Sequence, residues 1–156
     1  MSYTLSQIKD ESKKENICRA ILETLPEWFG IPKAIDEYCF RSKKYIFIAA
    51  KDKEKNIGFL VLKKNTPFSF EIYVMGVLKE YQRQGVGKSS INHAVNLIEG
   101  KSVQYLIVKT LDESAESKDY EKTRMFYLNN GFIPVGVVKE EWEEKNPCLI
   151  MVKRLI

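Results

Sequence analysis

The chain has 156 residues, the length of one domain able to bury a core without staples. Hydrophobic residues make up 44% and charged residues 29%, a globular balance that excludes disorder. Its 25 basic and 21 acidic side chains leave a net charge of +4, too small an excess to mark a polyanion binder but compatible with one anionic ligand.

Tyr3 to Ile8 alternates weakly and reads as a first strand. From Ser12 to Leu25, apolar residues at Ile17, Ile21 and Leu25, flanked by Cys18 and Leu22, predict a helix that Pro26 stops. Trp28-Phe29-Gly30 is an aromatic loop, and Pro32 suits the first turn of a second helix to about Arg41. Tyr45–Lys51 and Ile57–Lys63 read as a hairpin across the polar Asp52–Asn56 stretch, and Phe68–Leu78 as the third strand of this meander. Ile91, Ala94, Val95 and Ile98 make Gly85–Glu99 helical, closed by Gly100. Val103–Val108 is a short strand. A polar loop then leads to a helix over Tyr120–Asn130, with Asp119 as N-cap and Gly131 as its stop. Strands over Ile133–Glu140 and Cys148–Leu155 finish the chain. The order β-α-α-β-β-β-α-β-α-β-β predicts one α/β domain over residues 1–156. Its central sheet is mixed but mostly antiparallel, with about seven strands and about four flanking helices.

Three separated cysteines, Cys18, Cys39 and Cys148, and the single histidine His93 speak against a disulfide framework and against a multi-histidine metal site, so no metal is expected. No apolar run approaches the ~18 residues of a membrane span, and the first twelve residues hold no signal-peptide core. The expectation is a cytoplasmic protein without membrane or nucleic-acid partners, as a monomer or homodimer.

Chemistry concentrates in Tyr81-Gln82-Arg83-Gln84-Gly85-Val86-Gly87-Lys88, between a strand and a helix. Two alternate glycines let the backbone turn and approach a ligand, the following helix aims N–H groups and a positive dipole end at it, and Arg83 and Lys88 add cations. These parts describe a phosphate cradle. Gly85-Val86-Gly87-Lys88-Ser89 looks like the end of a nucleoside-triphosphatase P-loop, but Gln82 stands where the opening glycine belongs and an antiparallel meander precedes it.

Gln82, Gly85 and Gly87 also fit [QR]-x-x-G-x-[GA], and Phe126-Tyr127 followed by Gly131-Phe132 fits F-Y-x-x-x-G-F on a late helix. With these two motifs in this order, the chain from about Ile46 onward resembles the GNAT superfamily of N-acetyltransferases. The resemblance implies the GNAT fold and an enzyme that moves the acetyl group of acetyl-CoA to a primary amine. It places the pantetheine arm along Met75, Gly76 and Val77, with a bulge near these residues opening the sheet. The pyrophosphate falls on the backbone of Gln82, Arg83, Gln84, Gly85, Val86, Gly87, Lys88 and Ser89. Tyr127 becomes the acid that protonates the departing thiolate, and Glu71 the best candidate for the general base, with Glu140 and Glu141 as other carboxylates that could serve. Tyr120 stands where the family often has an asparagine on the pantetheine, and Arg124, one turn on, faces the same edge. Trp28, Phe29, Tyr38, Phe40 and Trp142 lie on the elements that bind the acceptor, and the acidic run Glu140–Glu144 suits a cationic one. A small-molecule amine is the expected acceptor. The loop Tyr81–Gly87 is also similar to that of bacterial protein-N-terminus acetyltransferases, which makes a protein amine, terminal or lysine, the alternative. A CoA-binding sensor without catalysis is the alternative from another class.

Overall fold

Local signals start and stop most elements of the computed structural model, which describes residues 2–142 and 145–156. Asp10 caps the first helix, α1 (Glu11–Leu22), by accepting the Lys13 N–H at 3.0 Å. The helix ends three residues before the predicted Leu25, because Thr24 and Leu25 bond back to Ile21 and Leu22 in tighter turns. Pro32 opens α2 (Pro32–Ser42). The Lys14 ammonium then closes the end of α2, donating to Lys43 O at 3.2 Å and Tyr45 O at 2.7 Å. Burial pulls the pKa of Lys14 below the ordinary lysine value.

The strands are β1 (Thr4–Ile8), β2 (Ile46–Asp52), β3 (Lys55–Thr66), β4 (Ser69–Val77), β5 (Tyr105–Leu111), β6 (Phe132–Val138) and β7 (Cys148–Arg154). They form one sheet in the order β1-β2-β3-β4-β5-β7-β6. Every pair is antiparallel except β4–β5, as the dominance of hairpins predicted. Helices α3 (Val86–Ile98) and α4 (Lys118–Asn129) complete the fold. The cap of α4 is Ser117, whose hydroxyl accepts the Tyr120 N–H at 3.3 Å, and not the predicted Asp119, which lies inside the helix.

Two cores sandwich the sheet. One holds Ile17, Ile21, Leu22 and Ile35 of α1 and α2 against Phe47 and Phe59, whose rings stack 5.3 Å apart. The other holds Ile91, Ala94 and Ile98 of α3 and Tyr127 of α4 against Leu60, Leu62, Leu106 and Met151. Each fully buried aliphatic or phenylalanine side chain contributes about 1.5–3 kcal/mol.

The parallel pair β4–β5 is short. It runs from Ser69 opposite Tyr105 to Ile72 opposite Val108 and stops, while β4 stays paired with β3 and β5 with β7. The sheet therefore splits into two arms beyond Ile72. A bulge lies at the fork: Val61 faces Val74 and Leu62 faces Ile72, so Tyr73 has no partner on β3. This places the bulge two residues before the predicted Met75–Val77 stretch.

Candidate active site

The loop after β4 is held by its own side chains. Gln82 Nε2 donates to Val77 O at 2.9 Å, folding the chain back on the strand it has left, and Gln84 Nε2 donates to Glu80 O at 2.9 Å. Arg83 (φ 60°) and Gly85 (φ 86°) take left-handed conformations, which glycine adopts without strain. Gly85 is the N-cap of α3 and contributes no side-chain cap, so the first N–H groups of the helix remain open to an anion. Arg83 and Lys88 are exposed on either side.

The second glycine also serves packing. A Cβ on Gly87 would sit 2.8 Å from Cζ of Phe126, so its missing side chain admits the α4 ring against α3. Gly76 likewise faces α1, where a Cβ would meet Ile21, Leu25 and Phe59 at 3.2–3.3 Å. Beyond Ile72 the other edge of β4 is open. Leu78 N–H bonds to Ile57 O of β3, so alternation turns the amide groups of Met75 and Val77 into the split between the arms. Beside the loop, a groove of about 570 Å³ runs between Arg83 and α4, lined also by Lys118, Lys122, Met125 and Phe126.

On the α1–α2 face of the fork sits Glu71, buried and held. Asn65 Nδ2 donates to its Oε1 at 3.0 Å, and Lys109 Nζ stands 4.0 Å from its Oε2. The same ammonium pairs with Glu141 of the β6–β7 connection at 2.9 Å. Burial alone would lower the pKa of Lys109, but the bond from Glu141 and the charge of Glu71 outweigh it and raise the value. Cys148 lies within range of all three, its thiol pushed up to about 11, chiefly by burial. Aromatic rings close the space above: Phe29 meets Tyr38 at 5.8 Å, Tyr38 meets Tyr73 at 5.3 Å, and Tyr73 meets Tyr45 at 5.3 Å.

The α1–α2 connection is bolted to α4. Trp28 Nε1 donates to Thr123 Oγ1 at 3.0 Å, and the Tyr120 hydroxyl donates to Trp28 O at 2.8 Å. Tyr127 lies beneath, buried between Phe126 and Phe132. Burial first, then the neighbouring Tyr120 and Tyr38, push its phenol well above the ordinary tyrosine value, so it holds its proton at neutral pH.

The fold thus brings Glu71, Tyr127, Tyr38, Trp28, Phe29 and Tyr120 to one region around the fork. Trp142 is half-buried in the β6–β7 connection. Glu143 and Glu144 of the acidic run lie outside the described residues. Phe40, expected in the acceptor wall, is 65% exposed and carries the Lys43 ammonium over its ring. Arg124 is pinned to the end of β5 by a 2.7 Å bond to Leu111 O and lines a second groove, with Asp112 and Leu149. Sequence reasoning missed Asn65, Tyr73 and Lys109. Of these only Lys109 left a signal, as a lone charge in an apolar strand.

A family model described as an acetyltransferase (GNAT) domain matches residues 42–134, more than half of the chain. The chain belongs to the GNAT acetyltransferase family. Its fold agrees with a GNAT-family protein from Desulfovibrio desulfuricans at TM-score 0.83 and 16% identity, over 99% of this chain and 100% of that one. The ribosomal-protein-S18-alanine N-acetyltransferase from Escherichia coli matches at TM-score 0.77 and 16% identity, over 99% and 94% of the two chains. A GNAT acetyltransferase from Elizabethkingia anophelis with acetyl-CoA bound matches at 0.73 and 18%, over 97% of each. No curated protein matches in sequence. In this GNAT domain the matched segment contains the fork, the loop and Tyr127, whereas Trp28, Phe29, Tyr38 and Trp142, expected to line the acceptor cleft, lie outside it.

Proposed function

We propose that this GNAT enzyme transfers the acetyl group of acetyl-CoA to the primary amine of a small cationic acceptor. The observation that carries the reading is the fork between β4 and β5, with Glu71 on one face of the sheet and Tyr127 under α4 on the other. The open amide groups of Met75 and Val77 suit a pantetheine arm added as a short strand, and the uncapped start of α3 suits a pyrophosphate. Arg83, Lys118 and Lys122 along the neighbouring groove suit the nucleotide's phosphate.

Acetyl-CoA supplies the thioester carbon at which the amine attacks, forming C–N and breaking C–S. An alkylamine has a pKa of about 10.4, so its neutral form costs about 4.6 kcal/mol at pH 7. Glu71, fixed by Asn65 and facing the Lys109 ammonium, takes the proton directly or through a water. Tyr127 keeps its proton at neutral pH and gives it to the departing sulfur. The carboxylates of Glu71 and Glu141, with one lysine between them, leave a net negative charge for an ammonium, and the tyrosine rings offer faces for its methylenes.

The test is CoA-thiol release from acetyl-CoA with a panel of polyamines, amino sugars and peptides with free N-termini. A small amine should be the best acceptor; a peptide preferred over every small amine would support the protein-acetyltransferase reading. Tyr127→Phe and Glu71→Gln should each lower kcat about 100-fold and leave CoA affinity near wild type. If neither variant slows turnover, the assigned roles are wrong. CoA binding with no turnover on any amine would support the sensor reading instead.

A further inference from the structure

The peptide that opens α3 is held from the other end of the chain. The Tyr3 hydroxyl lies 3.2 Å from Gly85 O and 2.7 Å from Ser89 Oγ, across sequence separations of 82 and 86 residues. Gly85 O also accepts the Ser89 N–H at 2.9 Å. A phenol has one proton, and a carbonyl has two lone pairs. The one phenol proton is therefore shared between two acceptors, Ser89 Oγ the nearer and Gly85 O the farther, and Tyr3 ties the start of α3 at both points.

Gly85 needs such a restraint. At φ 86° it occupies a region where a glycine peptide turns over easily, and it brings no side-chain cap. Around the position of its absent Cβ, the Tyr3 hydroxyl is the one described atom beyond its chain neighbours within 4.0 Å. Tyr3 itself is anchored: its ring packs on the α1–α2 core, and the next residue, Thr4, pairs with Lys51 of β2.

The Gly85–Val86 peptide is planar, with its C=O and N–H on opposite sides. Fixing the carbonyl fixes the direction of the Val86 N–H, which points out of the first turn of α3. A carbonyl that accepts a further bond also polarises its own peptide, making that N–H a stronger donor. We infer that Tyr3 is a positioning residue for the cofactor site, setting the Val86 N–H for the CoA pyrophosphate from the first strand. The inference rests on the reading that residues 82–89 hold that pyrophosphate.

Isothermal titration of CoA into wild type and Tyr3→Phe tests it, because phenylalanine keeps the packed ring and removes only the hydroxyl. Affinity should fall about 3- to 10-fold, the range one neutral hydrogen bond commands. The ligand-free variant should melt within a few degrees of wild type, and its Val86 amide nitrogen should shift in the NMR spectrum. Unchanged CoA affinity, with or without a change in melting temperature, overturns the inference. A variant that both melts lower and binds CoA more weakly is decided by the Val86 amide: a shift supports the positioning role, and an unmoved resonance overturns it. Failure of wild type to bind CoA at millimolar concentration instead overturns the reading of the loop, and this inference with it.

Discussion

At the scale of single residues, Gly87 shows how a motif position can serve packing. Alanine is the better helix former, by about 0.5–1 kcal/mol in a helix interior, so Gly87→Ala on propensity alone would stabilise α3. Its Cβ, however, would lie 2.8 Å from Cζ and 3.1 Å from Cε1 of Phe126, so the half-buried ring would have to swing toward the groove it lines and give up its place against α3. Overpacking of this kind costs about 1–3 kcal/mol, which outweighs the propensity gain. Gly87→Ala should therefore lower the melting temperature. Phe126→Leu placed in that background should recover part of the loss although it destabilises the parent. A Gly87→Ala variant as stable as wild type would show that the α3–α4 contact does not fix this glycine.

At the scale of elements, the region around the fork depends on the α1–α2 connection staying against α4. Three bonds do this: Trp28 to Thr123, Tyr120 to Trp28 O, and a longer one from Trp28 to Asp119 O at 3.4 Å. Tyr120→Phe removes the second and strands the Trp28 carbonyl, at a cost of about 0.5–1.5 kcal/mol. For a chain of this length that is a fall of roughly 1–6 °C in melting temperature. Amide exchange should quicken over residues 26–31 and not over α3, which hydrogen exchange by mass spectrometry would resolve. Most of these elements were legible in the sequence because their signals are local: the spacing of Ile91, Ala94 and Ile98, Pro32 at a helix start, two glycines flanking Val86. The choice of Ser117 over Asp119 as cap was not, since either residue type can cap and the backbone alone decides. The bulge at Tyr73 was displaced because it is set by pairing with β3, not by residue type. Tyr3 stayed hidden, and the lone charge of Lys109 went without a role, because each acts on a partner delivered by the sheet from another part of the chain; Asn65 meets Glu71 only through the register of the β3–β4 hairpin.

At the scale of the whole molecule, the tyrosines gathered around the fork tie stability to alkaline pH. Burial raises the phenol pKa values of Tyr38, Tyr73 and Tyr127, and pushes that of Tyr120 up to about 12, against an ordinary value of 10.0. A group whose folded pKa exceeds its unfolded one stabilises fully below the unfolded value and loses that contribution as pH rises through the folded one. Stability should therefore hold to about pH 10 and fall steeply from there through about pH 12, as unfolded tyrosines ionise and folded ones do not. Lys109, whose folded pKa is also raised, adds to the fall above the ordinary lysine value of 10.5. Lys14 works the other way: its lowered folded pKa means the unfolded chain holds the extra proton, so stability rises with pH as that difference disappears. One lysine is set against four tyrosines and a second lysine, and the fall wins. Denaturant melts from pH 8 to 11.5 should give this profile. Each phenol that ionises only on unfolding contributes about 1.4 kcal/mol per pH unit to the slope. Tyr127→Phe, which removes the most deeply buried of them, should flatten the alkaline limb by about that amount near pH 11. A variant with the wild-type slope would mean that Tyr127 ionises as readily in the folded protein as in the unfolded chain.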